Sequence, residues 1–254
     1  MTNIFVSVAL LILIYQTIWF FVSLIAKRND VADLAWGLGF VVVCIYLLIV
    51  SPTSSLVLIS VLTLIWGLRL ASHIFSRLKK TTEDSRYLAW RQEWGSFFIL
   101  RSYLQVYLLQ GVFMYTISLS AIISATSNSF SPGLSVAGAL VWLVGFLFES
   151  VADKQLSEFV KTKKPGQIMQ SGLWRYSRHP NYFGEVTQWW GIFLVALSAG
   201  NIFALLSPAT ITILILFVSG VPLLEKRYNG LPDWEVYKNR TSAFIPWWPK
   251  RQIK

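Results

Sequence analysis

Long apolar stretches alternate with short polar breaks along this chain of 254 residues. Seven stretches, over residues 4–25, 31–50, 55–75, 99–122, 134–150, 183–199 and 202–224, approach the roughly 20 residues a helix needs to cross a bilayer. The pattern predicts an all-α, polytopic membrane protein with seven transmembrane helices. The last two stretches are parted only by Gly200 and Asn201, which predicts a tight helical hairpin. The first stretch has no basic segment before it, is longer than the core of a cleavable signal, and ends in Lys27 and Arg28. It reads as a retained span.

Composition agrees with the pattern: 55% of residues are hydrophobic and 13% are charged. With seven spans the connections alternate sides, and all 22 Lys and Arg fall on one side or in helix ends there. The opposite connections, residues 51–54, 123–133 and 200–201, carry none. The positive-inside rule predicts an outside N-terminus and a cytoplasmic C-terminus. Any chemistry is then expected on the cytoplasmic face. The net charge of +10 is then topology plus attraction to anionic membrane lipids, with no part for nucleic acid. Cys44 is a lone cysteine, and no His, Cys or carboxylate set has metal-site spacing, so no metal is expected. The sequon at Asn239 lies on the predicted cytoplasmic side and is discounted.

Polar residues recur at helical spacing where spans meet the cytoplasmic side. Asp30 and Asp33 precede Trp36 on the second span; Arg69 and His73 end the third. Glu149 and Asp153 end the fifth, and Glu185, Gln188 and Trp189 share a face on the sixth. Residues three or four apart on a helix are neighbours. Together these sets predict a polar chamber open to the cytosol. Residues 172–185, GLWRYSRHPNYFGE, are the densest of them. Here Arg175 and Arg178, with Lys161, Lys163 and Lys164 upstream, are interleaved with Trp174, Tyr176, Asn181 and Tyr182. Cations beside aromatic planes and an amide suit a flat heterocycle carrying anionic groups. No Gly-x-Gly-x-x-Gly, phosphate loop or nucleophile constellation is present.

Arg178-His179-Pro180-Asn181-Tyr182-Phe183-Gly184-Glu185 resembles the carboxy-terminal signature of the membrane steroid 5-alpha-reductase and sterol reductase superfamily. Glu225-Lys226-Arg227-Tyr228, Asp233-Trp234-Glu235-x-Tyr237, Phe244-Ile245-Pro246 and the step Lys164-Pro165-Gly166 are similar to that family's ending. The start, Asp30 to Gly37, is similar to its bacterial branch, which implies a bacterial inner membrane or its equivalent. The resemblance implies an NADPH-dependent reductase of a lipid carbon–carbon double bond. Residues 1–122 would supply substrate-side helices and 134–254 the cofactor-binding half of one domain. Asn181, Tyr182 and Glu185 would meet the nicotinamide and ribose end. Arg69, His73, Asp153, Lys164, Trp174, Arg178, His179, Glu225, Arg227, Tyr228 and Tyr237 would line the rest. Asp33 would act on the substrate carbonyl as an acid with Glu185 as catalytic partner, and Asp30, Trp36, Trp66 and Trp189 would face the lipid. Trp66 stands where the family has a proton-donating Tyr, which departs from a 3-oxo-4-ene steroid site.

Membrane isoprenylcysteine methyltransferases also carry Arg-His-Pro-x-Tyr-x-Gly. In that reading Arg178 and His179 hold the carboxylate of S-adenosylmethionine. Asn181 before Tyr182, and Glu185 after Gly184, argue for the reductase. A transporter would favour repeats and broken midplane helices, and the polar groups here gather at one end.

Overall fold

The computed structural model describes residues 3–164, 166–226 and 228–250. Helix dominates, and among the described residues the sole strand-like pairing is an isolated bridge between Ser177 and Ser242. Eight main helices are α1 (Ile4–Ala26), α2 (Val31–Val50), α3 (Ser54–Leu78), α4 (Ser85–Ile117), α5 (Pro132–Thr162), α6 (Pro180–Ala196), α7 (Ile202–Lys226) and α8 (Pro232–Arg240). Six of them, α1 to α5 and α7, are long and apolar enough to cross a membrane. The remaining expected span, 183–199, falls on α6. That helix has 17 residues and continues as a 3-10 turn over Leu197–Ala199. At 1.5 Å per residue it reaches about 26 Å, slightly under the hydrocarbon thickness.

The chain forms two compact units. The first comprises Met1–Ser135 and Val195–Ser207. In it α1 buries one stripe, Val8, Ile12, Gln16, Phe20 and Ser23, at three- and four-residue spacing. Its other faces leave Leu10, Ile14, Ile18 and Ile25 exposed. A helix apolar all round with only one packed stripe is suited to lipid on the others. A left-handed residue, Lys27, ends α1; its amide and that of Arg28 donate to the carbonyls of Leu24 and Ser23. Helices α2 and α3 touch at glycine: a Cβ on Gly67 would lie 2.7 Å from the Gly37 carbonyl oxygen.

Helix α4 starts at Ser85, not at residue 99 where hydropathy alone places it. Arg86, Arg91 and Glu93 lower the local hydropathy and hide an inward aromatic staircase. Tyr87 packs on Trp90 at 5.3 Å, Trp90 stacks on Trp94 at 5.3 Å, and Trp94 meets Phe98 at 6.1 Å. Asp84 caps the helix, its carboxylate accepting from the Arg86 amide at 2.9 Å. A π-helical turn over Ser102–Leu108 interrupts α4 lower down. Asp84→Ala is expected to cost about 0.5–2 kcal/mol, in the range of a lost N-cap. Faster hydrogen exchange at residues 85–88, with the rest of α4 unchanged, is the expected readout.

The second unit comprises Val136–Leu194 and Pro208–Lys254. Helix α5 runs twelve residues beyond the expected end at 150, carrying Asp153, Lys154 and Glu158 on polar turns. Helix α6 opens on Pro180, whose fixed φ and missing N–H suit a first helical turn. The two helices approach through paired glycines. A Cβ on Gly145 would sit 2.5 Å from the Gly184 carbonyl oxygen, and one on Gly191 would sit 2.6 Å from that of Gly138. Small residues permit such contact between membrane helices. Helix α8 has Pro232 in its first turn, acids Asp233 and Glu235 at its start and Lys238 and Arg240 at its end, matching the helix dipole.

Candidate functional site

The expected chamber divides between the two units, so each half is built within its own. In the first unit Asp33 sits in the first turn of α2. Its Oδ2 accepts from Arg77 at 2.8 Å and Arg86 at 3.3 Å, and its Oδ1 accepts from the Tyr87 hydroxyl at 3.0 Å. Tyr87 was absent from the sequence-based site; the charged residues around it, Arg86, Arg91 and Glu93, concealed the start of α4. Asp30 is buried and tied to Arg28 by two bonds, at 2.6 and 2.8 Å, and to the Asp84 amide at 2.9 Å. Arg28 also donates to the carbonyls of Leu78, Thr81 and Thr82. Asp30 is thus part of the clasp joining the α1–α2 turn to the loop after α3. Trp36 packs edge-on against Phe40 at 5.0 Å, and Phe40 packs against the fully buried Trp66 at 5.8 Å. Arg69 and His73 follow Trp66 at helical spacing on α3, and both are half-buried.

The second unit holds the motif. Two carboxylate–carboxamide rungs join α5 to α6. Asn181 Nδ2 donates to Asp153 Oδ1 at 3.2 Å, and Gln188 Nε2 donates to the buried Glu149 Oε2 at 2.5 Å. A carboxylate only accepts, so each amide must turn its NH₂ toward α5. The amide oxygens are therefore aimed away, and both Asn181 Oδ1 and Gln188 Oε1 are buried without a protein partner. His179 adds a third such atom. Its Nε2 faces Glu225 Oε1 at 3.2 Å, and Nδ1 is buried without a partner. A buried acceptor left unpaired costs about 1–3 kcal/mol. Asn181 lies in the first turn of α6, His179 just before it and Gln188 two turns further along. Tyr182 stacks on the His179 ring at 5.7 Å and 13°, and Glu185 lies one turn beyond Asn181, half-buried. Trp189, one further turn along, is buried.

Arg178 turns inward rather than to an open cleft. Its Nε donates to Glu225 Oε1 at 2.8 Å, and its Nη1 donates to the carbonyls of Lys238 at 2.7 Å and Thr241 at 3.1 Å. The guanidinium also lies over the Trp234 ring at 5.7 Å. Trp174 is buried with Ala152 and Met169, and its indole donates to the Ala152 carbonyl at 3.2 Å. Tyr237 is buried, and its hydroxyl donates to the Trp174 carbonyl. Burial pushes the Tyr237 phenol well up from its ordinary pKa, which keeps it a donor. Lys164 is exposed and Tyr228 is partly exposed, its ring 5.2 Å from Trp234. Arg227, expected beside them, lies outside the described residues. No group of three metal-ligating side chains is found among the described residues.

The motif thus has two layers. Arg178, Trp174 and Tyr237 bind the last helix and strap to the protein itself. Asn181, Tyr182 and Glu185 lie on the next turns, and the buried Asn181 Oδ1 there has no protein partner. The family described as "Protein of unknown function (DUF1295)" matches residues 19–241. The chain is also similar to 3-oxo-5-alpha-steroid 4-dehydrogenase 1 of Rattus norvegicus, 35% identical over 78 residues, which is 30% of each chain. The protein of that name from Bos taurus is 36% identical over 64 residues, 25% of each chain, and that from Mus musculus 36% over 72 residues, 28% of each. The match spans less than a third of each of these relatives. No solved structure matches. The extent of the family match, from the last third of α1 through α8, places this chain in the DUF1295 family, within the steroid 5-alpha-reductase superfamily.

Proposed function

We propose that this membrane protein reduces a carbon–carbon double bond in an apolar, steroid-like lipid at the expense of NADPH. The observation that carries the reading is the amide of Asn181. Its NH₂ is spent on Asp153, and its buried oxygen is left to accept from a ligand. The carboxamide of a nicotinamide and the hydroxyls of a ribose are donors of the kind that Asn181 Oδ1 and His179 Nδ1 lack. The residues present therefore fit a nicotinamide dinucleotide. Asn181, Tyr182, Glu185 and Asp153 would hold its nicotinamide end, and exposed Lys161, Lys163 and Lys164 would meet phosphate. Bound there, NADPH would supply the hydride.

The protein's own groups would polarise the lipid. Asp33 accepts the single phenol proton of Tyr87 and holds the Arg77 and Arg86 guanidiniums beside it. Hydride addition to an enone builds charge on the carbonyl oxygen, and further N–H donors of those two arginines would stabilise it beside Asp33. The name of the mammalian relatives, 3-oxo-5-alpha-steroid 4-dehydrogenase 1, supports a steroid-like substrate here. The charge asymmetry supports seven spans, an outside N-terminus, a cytoplasmic C-terminus and a cytoplasmic cofactor site. The methyltransferase reading is the weaker one, because Arg178 and His179, its carboxylate holders, are turned to Glu225.

Titration of the purified protein with NADPH, followed by cofactor fluorescence, tests the reading. Asn181→Ala is expected to weaken binding by about tenfold or more, the worth of a buried hydrogen bond to a ligand, with the melting temperature held. Failure of the wild-type protein to bind NADPH, or binding of S-adenosylmethionine in its place, would overturn it.

A further inference from the structure

The second unit carries an exposed aromatic patch that the reductase reading does not use. Ile245, Trp247 and Trp248 are 63%, 70% and 73% exposed. They lie on a strap that is held in place. The Trp247 amide donates to the Tyr176 carbonyl at 2.9 Å, and the Lys250 amide donates to that of Arg240 at 2.9 Å. Ser177 Oγ donates to the Phe244 carbonyl at 2.7 Å, and the Arg178 amide donates to that of Ser242 at 2.9 Å. The Trp248 ring stands edge-on to Tyr176 at 5.4 Å. Two indoles are thus fixed outward by the backbone. A large apolar patch kept exposed marks a surface built to be covered.

A groove of about 430 Å³ adjoins the indoles, lined by Phe148, Leu173, Tyr176, Pro246, Trp247 and Trp248. Phe148 belongs to α5, which is long and apolar enough to cross a membrane. Val144, Leu147 and Val151 around it on that helix are exposed. The groove therefore borders an apolar flank suited to lipid. Exposed Arg175 precedes the lining Tyr176, and exposed Lys250 follows the indoles. Outward indoles beside an apolar flank, with exposed Arg175 and Lys250 adjacent in sequence, match the boundary between acyl chains and headgroups.

We infer that Ile245, Trp247 and Trp248 form an interfacial anchor that docks a bilayer phospholipid with an anionic headgroup. An acyl chain lies in the groove, and the headgroup phosphate meets Arg175 and Lys250. The occupant is bilayer lipid, not the reductase substrate, so the anchor stands whether or not NADPH binds.

The test uses the full chain in lipid nanodiscs, labelled with 5-fluorotryptophan. The chain has 12 Trp, so the two resonances are assigned by Trp247→Phe and Trp248→Phe. Both lines are expected to broaden with a lipid spin-labelled near its carbonyl and to be spared by an aqueous gadolinium chelate. In native mass spectrometry, retained phosphatidylglycerol over phosphatidylcholine is expected to fall about fivefold with Arg175→Gln or Lys250→Gln, the effect of one cation at an anionic surface. Lines broadened by the aqueous reagent and spared by the lipid label would overturn the anchor. Lines shielded from both would do the same, pointing to a second copy or another protein on the patch. An unchanged headgroup preference in both glutamine variants would also overturn it.

Discussion

Arg178→Ala is expected to destabilise the second unit by about 3–5 kcal/mol, the range found when one partner of a buried ion pair is removed. The side chain is 9% exposed and joins Glu225 to two carbonyls at the end of α8. Alanine would leave the Glu225 carboxylate facing only His179, and would free the carbonyls of Lys238 and Thr241. Arg178→Lys would keep the charge and lose the fork that reaches three acceptors at once, so an intermediate loss is expected. Thermal unfolding in detergent checks the order wild type, Lys, Ala. A role confined to cofactor binding would leave the melting temperatures equal and move only the affinity for NADPH.

Gly184→Ala comes next. A Cβ there would lie 2.5 Å from the Glu149 amide nitrogen and 2.6 Å from the Gly145 carbonyl oxygen. Both neighbours are backbone, so no side chain can swing aside. Helices α5 and α6 must separate, and the cost is expected at or above the roughly 1–3 kcal/mol of ordinary overpacking. The rungs at Asn181 and Gln188 would lengthen with the separation. Gly184→Ala should therefore lose both stability and NADPH binding, whereas Asn181→Ala should lose binding alone. Parallel melting curves and titrations of the two variants separate the outcomes.

The first three spans were legible almost to the residue, because apolar runs there end at Lys27, Ser51 and the basic turn after Leu78. The start of α4 was not. Its buried face is aromatic and its other faces are charged, so averaging over a window cancels the signal. A periodicity search for Tyr87, Trp90, Trp94 and Phe98 would have found it. The extension of α5 past Ser150 was hidden for the same reason, since Asp153 and Lys154 end the apolar run without ending the helix. In the motif, sequence singled out the residues of 172–185 but not their division of labour. Arg178 and His179 looked like free ligands for an anion; their partner, Glu225, is 47 residues away from Arg178. The Asn181–Asp153 pairing spans 28 residues, and only helix packing reveals which amide atom is left over.

The Arg178 clasp also sets an order of events during synthesis. The Lys238 carbonyl that holds the guanidinium lies 60 residues downstream. At roughly 5–20 residues per second that interval is about 3–12 s. Throughout it the motif has left the ribosome without the partners that fix its shape. A charged, half-formed loop must then wait at the membrane surface for the final helix, and this waiting period is where a slow or stalled ribosome would harm the protein most.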